Sequence, residues 1–230
     1  MRKIMRNILK YIFIKIPFFI LVVSVSVVFL MKWIPVSYTP LMLKRALEYK
    51  DDVNYVRQHV WVPIEDVSDN AIKAVLAAED SGFFLHNGFE VGDIFTELER
   101  MMKGAKNIRG CSTISQQTAK NVFTLGGSTW LRKGVEAYYT FLIEKIWGKR
   151  RILEVYLNVA EMGKGIYGIG AASEAYFHKD ARDVTLAEAA SLAVCLPNPL
   201  TRSPHRMEEG FSKSRSRIMR EAKNISLLIQ

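Results

Sequence analysis

"RGCSTISQQTAKN", residues 109–121, follows its tight Gly110-Cys111 turn with four hydroxyls, two adjacent amides, a lysine and an asparagine, and little that is apolar. Thr113 and Gln116 have the spacing of a capping box, in which a hydroxyl and an amide three residues apart satisfy each other's backbone N–H groups at a helix start. The stretch therefore reads as the first turns of a helix. On it Gln117 and Lys120 are i and i+3, and Gln116 and Lys120 are i and i+4, so amides and an ammonium share one surface. Ser112 and Thr113 sit at the amino-terminal end, where backbone N–H groups bind anions. Amides suit sugar hydroxyls and acetamido groups, and lysine suits phosphate. Together they describe a site for a phosphorylated saccharide.

Helical signals also fill the flanking sequence. Ser68 or Asp69 can cap a helix in which Ile72, Val75, Leu76 and Glu79 fall at i, i+3, i+4 and i+7. Thr185 with Glu188 forms a second capping box, before "LAEAASLAVCL", which Pro197 ends. Ile152, Val155, Tyr156 and Val159 mark another buried helical face. No alternating strand pattern of any length occurs, so the expected fold class is mostly α. "GKGIYGIG", residues 163–170, has the glycines of a phosphate loop but neither a preceding strand nor a closing Lys-Ser or Lys-Thr pair. It reads as a close-packed turn.

The chain has 230 residues, enough for one medium domain with an accessory segment, and a net charge of +9 that calls for an anionic partner. Residues 16–31, "IPFFILVVSVSVVFLM", carry no charge, and with the apolar residues around them span 11–34, about the length that crosses a bilayer. No small-residue cleavage site follows, so the segment reads as a transmembrane anchor rather than a removed signal. Arg2, Lys3, Arg6, Lys10 and Lys15 precede it and only Lys32 closely follows, which places the amino terminus in the cytoplasm. The expected layout is a cytoplasmic tail over 1–10, the anchor over 11–34, a linker over 35–60 and an outer domain over 61–230. A basic domain outside the cytoplasm meets lipids and lipid-linked molecules, not nucleic acid. Cys111 and Cys195 have no metal-ligand spacing and read as small packed thiols.

Two carboxylates stand out. Glu79 falls on the apolar face of its helix, beside Asp80 and "FFLHNG", which contains His86. A carboxylate there needs either a partner, such as a helix-end donor or Arg109, or a raised pKa of the kind a general acid or base requires. In "WLRKGVEAYY", Arg132 and Lys133 lie i−4 and i−3 from Glu136. This is either a surface salt bridge or, with two cations for one carboxylate, a place for a phosphate or pyrophosphate.

"AAEDSGFFLHNGFE", "RGCSTISQQTAKN", "LRKGVE" and "KRRILEVYLNVAEMGKGIYGIGAASEAYF" resemble, in order and spacing, the motifs of the bacterial peptidoglycan glycosyltransferases over residues 61–205. The resemblance implies a lysozyme-like α-helical domain at the membrane that polymerises lipid II, releasing undecaprenyl pyrophosphate. With the chain ending at Gln230, it is closest to the monofunctional branch, in a cytoplasmic or inner membrane. By position, Glu79 matches the general base and Glu136 the second glutamate, thought to organise the donor pyrophosphate. If a divalent cation such as Mg or Mn takes part, Glu136 is where it is expected. Lys120, Arg132 and Lys133 match the groups that neutralise the leaving group. Ser112, Thr113, Gln117 and Asn121 match cleft-lining positions, and Asp80, Phe83 and His86 match those around the base.

Cys111 replaces the family's usual Gly, and Glu90 its frequent Asp. Residues 95–109, which alternate apolar with basic side chains, match the mobile segment beside the lipid channel and suit a membrane interface. The partners implied are lipid II, the growing lipid-linked strand, membrane lipids and other wall-synthesis proteins. A lytic enzyme of lysozyme-like fold would also use Glu79 but would leave Lys120, Arg132 and Lys133 idle. A non-catalytic anchored protein that binds wall precursors is favoured only by Cys111.

Overall fold

The computed structural model describes residues 11–90, 112–125, 130–206 and 209–228. It divides into two units, Met1–Pro35 and Val36–Gln230. In the first, a wide helical turn at Tyr11–Lys15 runs into α1 (Ile16–Leu30). The apolar span Phe13–Leu30 has the length and composition to cross a membrane. At about 1.5 Å per residue, 18 residues extend ~27 Å, close to the thickness of a hydrocarbon core.

In the second unit the order is α2 (Pro40–Glu48), β1 (Gln58–His59), α3 (Asp69–Glu79), α4 (Ile114–Phe123), α5 (Trp130–Ile146), α6 (Gly148–Val159), β2 (Glu161–Gly163), β3 (Ile166–Tyr167), α7 (Gly168–Phe177), α8 (Leu186–Cys195) and α9 (Glu209–Ala222). The mostly α architecture is the one the sequence implies. Residues 36–60, read above as linker, belong to this unit. The reason is local: Thr39 caps α2 by accepting from the Met42 N–H, and Met42 is fully buried.

The helix starts follow the capping signals. Ser68 caps α3, accepting from the Ala71 N–H. Thr113 with Gln116 and Thr185 with Glu188 form complete capping boxes on α4 and α8. α8 ends two residues before Pro197, which lacks the N–H a helix would need. The core lies where α3 packs on α8 and α9, and where α4 packs on α5 and α6. Ile72, Val75 and Leu76 of α3 and Ile152, Val155, Tyr156 and Val159 of α6 are each at most 2% exposed.

The sequence pattern did not show a small sheet of order β1-β3-β2, with β1 parallel and β2 antiparallel to β3. Its strands are two or three residues long, too short for alternation to register. The glycine run builds it as a close-packed turn. Gly168 has φ +79°, and a Cβ there would stand 2.4 Å from the Asn158 carbonyl oxygen. Cys195 is a buried thiol, as expected, whereas Cys111 and residues 95–109 fall outside the described residues.

Asn158, fully buried on α6, ties in the segment that enters the domain. Its Oδ1 accepts from the Val62 N–H at 2.7 Å, and its Nδ2 donates to the carbonyls of Val62 at 2.8 Å and Glu154 at 2.9 Å. Replacing Asn158 by Ala strands both backbone groups of Val62, and the expected loss is about 3 kcal/mol of stability, read from urea unfolding followed by circular dichroism.

Candidate active site

Glu79 is the last residue of α3, partly buried, at the helix end where the macrodipole is negative. Gln117, on the second turn of α4, donates from Nε2 to Glu79 Oε2 at 2.7 Å and to the Ser112 carbonyl at 3.3 Å. The Tyr156 hydroxyl donates to Gln117 Oε1 at 3.3 Å. Burial, with the charges of Glu79 and Asp80 nearby, pushes the Tyr156 pKa well up, so the hydroxyl keeps its proton. That contact orients the amide with its NH₂ toward Glu79. Burial likewise raises the Glu79 pKa, and Asp80 adds to the effect. The Gln117 hydrogen bond and the charges of Lys120 and Arg202 pull it the other way. The result is a carboxylate with a proton affinity above the ordinary glutamate value of 4.5.

Asp80 holds this arrangement in place. Its buried carboxylate accepts from His86 Nε2 at 2.9 Å and from the Ile114 N–H, the first of α4, at 2.9 Å. His86 Nδ1 accepts from the Gly88 N–H at 3.0 Å, which leaves the ring proton on Nε2, facing Asp80. Thr113, besides capping α4, donates to the Gly88 carbonyl at 2.8 Å. Phe83 is fully buried, with the Lys149 ammonium 4.4 Å from its ring centre. Asp80, His86 and Thr113, expected around the substrate, fasten the loop after Glu79 to the start of α4.

The second carboxylate, Glu136, is 2% exposed. Arg132 donates to its Oε2 at 2.6 Å and Lys133 to its Oε1, while Lys133 Nζ also lies 3.5 Å from Ser112 Oγ. The buried position rules out an ordinary surface salt bridge. Lys120 lies within the fields of both carboxylates. Although exposed overall, it has a lowered pKa, because its surroundings displace water and Arg132 and Lys133 add positive charge. Glu136 and Glu79 oppose that shift. Lys120, Gln117 and the buried Asn121 line a cavity of about 270 Å³. Gln117, which bonds Glu79, and Lys120, which feels Glu79 and the Arg132–Lys133–Glu136 group, thus lie on one cavity wall. Arg109, considered above as a partner for Glu79, lies outside the described residues. Gln117 fills that role.

Among the described residues, the carboxylates and imidazole that could hold a divalent cation are already engaged with other partners. Both oxygens of Glu136 are engaged by cations, whose charge opposes a metal ion there. Asp80, His86 and Glu90 offer ligand atoms within 4.8 Å of one another, but the His86 nitrogen turned to Asp80 carries the proton.

Several contributors were not found from the sequence. The Arg202 charge acts on Glu79 while its Nη1 donates to the Val194 carbonyl at 2.7 Å. Behind the loop, Glu144 accepts from Ser115 Oγ at 2.5 Å and from Lys149 at 2.7 Å. Its signal was available: Glu136, Thr140 and Glu144 repeat at i, i+4 and i+8 on one face of α5.

A family model described as Transglycosylase matches residues 47–223. The chain is similar to the biosynthetic peptidoglycan transglycosylase of Mannheimia succiniciproducens, 41% identical over 206 residues, which are 89% of this chain and 84% of that protein. It is 47% identical over 180 residues to the protein of that name from Bdellovibrio bacteriovorus, covering 76% of this chain and 70% of the relative. Against the Yersinia pseudotuberculosis protein of the same name, identity is 48% over 170 residues, with 73% and 70% covered.

Since the Gln117 amide holds the Glu79 pKa down, Gln117→Leu should move the Glu79 titration to higher pH, as followed by carboxyl-carbon NMR of the labelled protein.

Proposed function

The chain belongs to the peptidoglycan transglycosylase family, and from that premise we propose that it joins lipid II units into β-1,4-linked glycan strands. The observation that carries this reading is the placement of Glu79. A carboxylate with a raised proton affinity, held by Gln117, feels the charge of a lysine that also feels the Arg132–Lys133–Glu136 cluster. The lysozyme-like fold carries these groups on α3, α4 and α5.

The chemistry follows from the charges. Glu79 takes the proton from the 4-hydroxyl of the acceptor N-acetylglucosamine as that oxygen attacks the anomeric carbon of the donor N-acetylmuramic acid. The bond from that carbon to the pyrophosphate breaks with inversion from α to β, and undecaprenyl pyrophosphate departs with the electron pair. A carboxylate with raised pKa is a stronger base than free glutamate. Lys120, Arg132 and Lys133 are suited to the negative charge that grows on the pyrophosphate, where fixed cations do most for the rate. Glu136 keeps Arg132 and Lys133 side by side, so that they are ordered before substrate arrives. A glycan-cleaving reaction, having no pyrophosphate, would find no use for this cluster.

The apolar helix fits a membrane anchor. The basic residues before it support a single-pass arrangement in the cytoplasmic membrane, with the amino terminus inside and the catalytic domain outside. Such a domain would meet lipid II where it is presented and work beside other wall-synthesis proteins.

Purified full-length protein in detergent should convert labelled lipid II into long glycan with no added nucleotide sugar, and Glu79→Gln should lower that rate by about 10²- to 10⁴-fold. Folded protein that leaves lipid II untouched, or that digests preformed glycan, would overturn the proposal.

A further inference from the structure

One wall of the cavity beside Glu79 is made by α2, whose residues take no part in the chemistry above. Leu41 and Arg45, one helical turn apart, line it with Gln117, Lys120, Tyr156 and Glu161. Arg45 is not an open cation there. Its Nε donates to Glu161 Oε1 at 3.0 Å and Oε2 at 3.1 Å, its Nη2 donates to Oε2 at 3.0 Å, and its Nη1 donates to Glu48 at 2.7 Å. The side chains of Arg45 and Glu161 are 20% and 6% exposed. With its donors committed to carboxylates, Arg45 offers little charge to a ligand.

What such a pair does well is fix an orientation, because the planar guanidinium meets a carboxylate in one geometry. Its net contribution to stability, once desolvation is counted, is small. Glu161 opens β2 directly after Ala160, which ends α6, and Tyr156 lies one turn earlier on α6 with its hydroxyl on Gln117. The fork therefore fastens α2 to the same stretch of backbone that orients the partner of Glu79. Met42, buried on the adjoining face, holds α2 to the core independently.

We propose that Arg45 and Glu161 are positioning residues: their fork holds α2 as a wall of the cavity, and so holds the lipid-linked saccharide within reach of Glu79. This rests on the function proposed above. Loosening the wall weakens substrate binding before and during reaction alike, without touching the base or the cations that act in the transition state. A loss of that kind shows in KM with kcat preserved.

Two variants test it in the full-length protein in detergent. Arg45→Lys keeps the charge and loses the fork. Arg45→Met combined with Glu161→Met removes both charges, so that no buried carboxylate is left unpaired. For each, KM and kcat are measured with lipid II, and the Kd of fluorescent lipid II is measured by anisotropy in a Glu79→Gln background. KM and Kd are expected to rise about fivefold or more, with kcat within about twofold of the parent. A kcat that falls with the folded fraction while KM and Kd hold would make the fork merely structural, and unchanged values throughout would deny it any role. Both outcomes overturn the proposal. The Kd arm decides the matter without polymerisation, so failure of the wild-type protein to make glycan would sink the functional reading separately.

Discussion

Asp80 joins three pieces of chain at one buried carboxylate: it follows the last residue of α3, receives the His86 ring N–H, and accepts the first backbone N–H of α4. A buried charge is tolerable only when it is paired or hydrogen-bonded, and the amino-terminal end of a helix offers both an N–H and a favourable dipole. Satisfying Asp80 thus sets the end of α3 against the start of α4. That in turn brings Glu79 within 2.7 Å of Gln117, a residue 38 positions away in sequence. Thr113 and Gly88 repeat the tie from the loop side, and Glu144 supports it from α5 through Ser115 and Lys149.

The two glutamates of the cleft are placed in opposite environments. Glu79 sits in a water-poor setting beside a neighbouring carboxylate, which raises its affinity for a proton, while the Gln117 amide and nearby cations oppose the rise. Glu136 is enclosed by a guanidinium and an ammonium that consume its hydrogen-bonding capacity. One is left able to move a proton, and the other is committed to holding cations. Lys120 feels both, and their charges oppose the lowering of its pKa by burial.

Much of this was legible in the sequence because its causes are local. The capping boxes at Thr113 and Thr185 and the apolar faces of α3 and α6 are spelled out within a few residues, and the i−4 and i−3 cations of Glu136 lie on its own helix. The partner of Glu79 was not legible: spacing shows that an apolar-face carboxylate needs a donor, but not that Gln117 arrives from another helix. The same holds for Arg45 and Glu161, which are 116 residues apart. Residues 35–60 carry Pro35, Pro40 and mixed polarity, and read as a linker because Met42 and Arg45 reveal their burial only against other elements. The sheet escaped notice because its strands are shorter than any period that could announce them. The motif resemblance supplied roles for Asp80, His86 and Thr113, and the structure supplied the interactions by which they hold the base in position.

The central claim is that a glutamate with raised proton affinity, Glu79, removes the acceptor proton. It is tested most directly by the pH dependence of kcat/KM for the wild-type protein on lipid II, which reports groups of the free enzyme. Because the folded structure favours protonated Glu79, the rate should fall with decreasing pH through a midpoint above the ordinary glutamate value of 4.5. A rate that stays level down to that value, or a midpoint below it, would contradict the account.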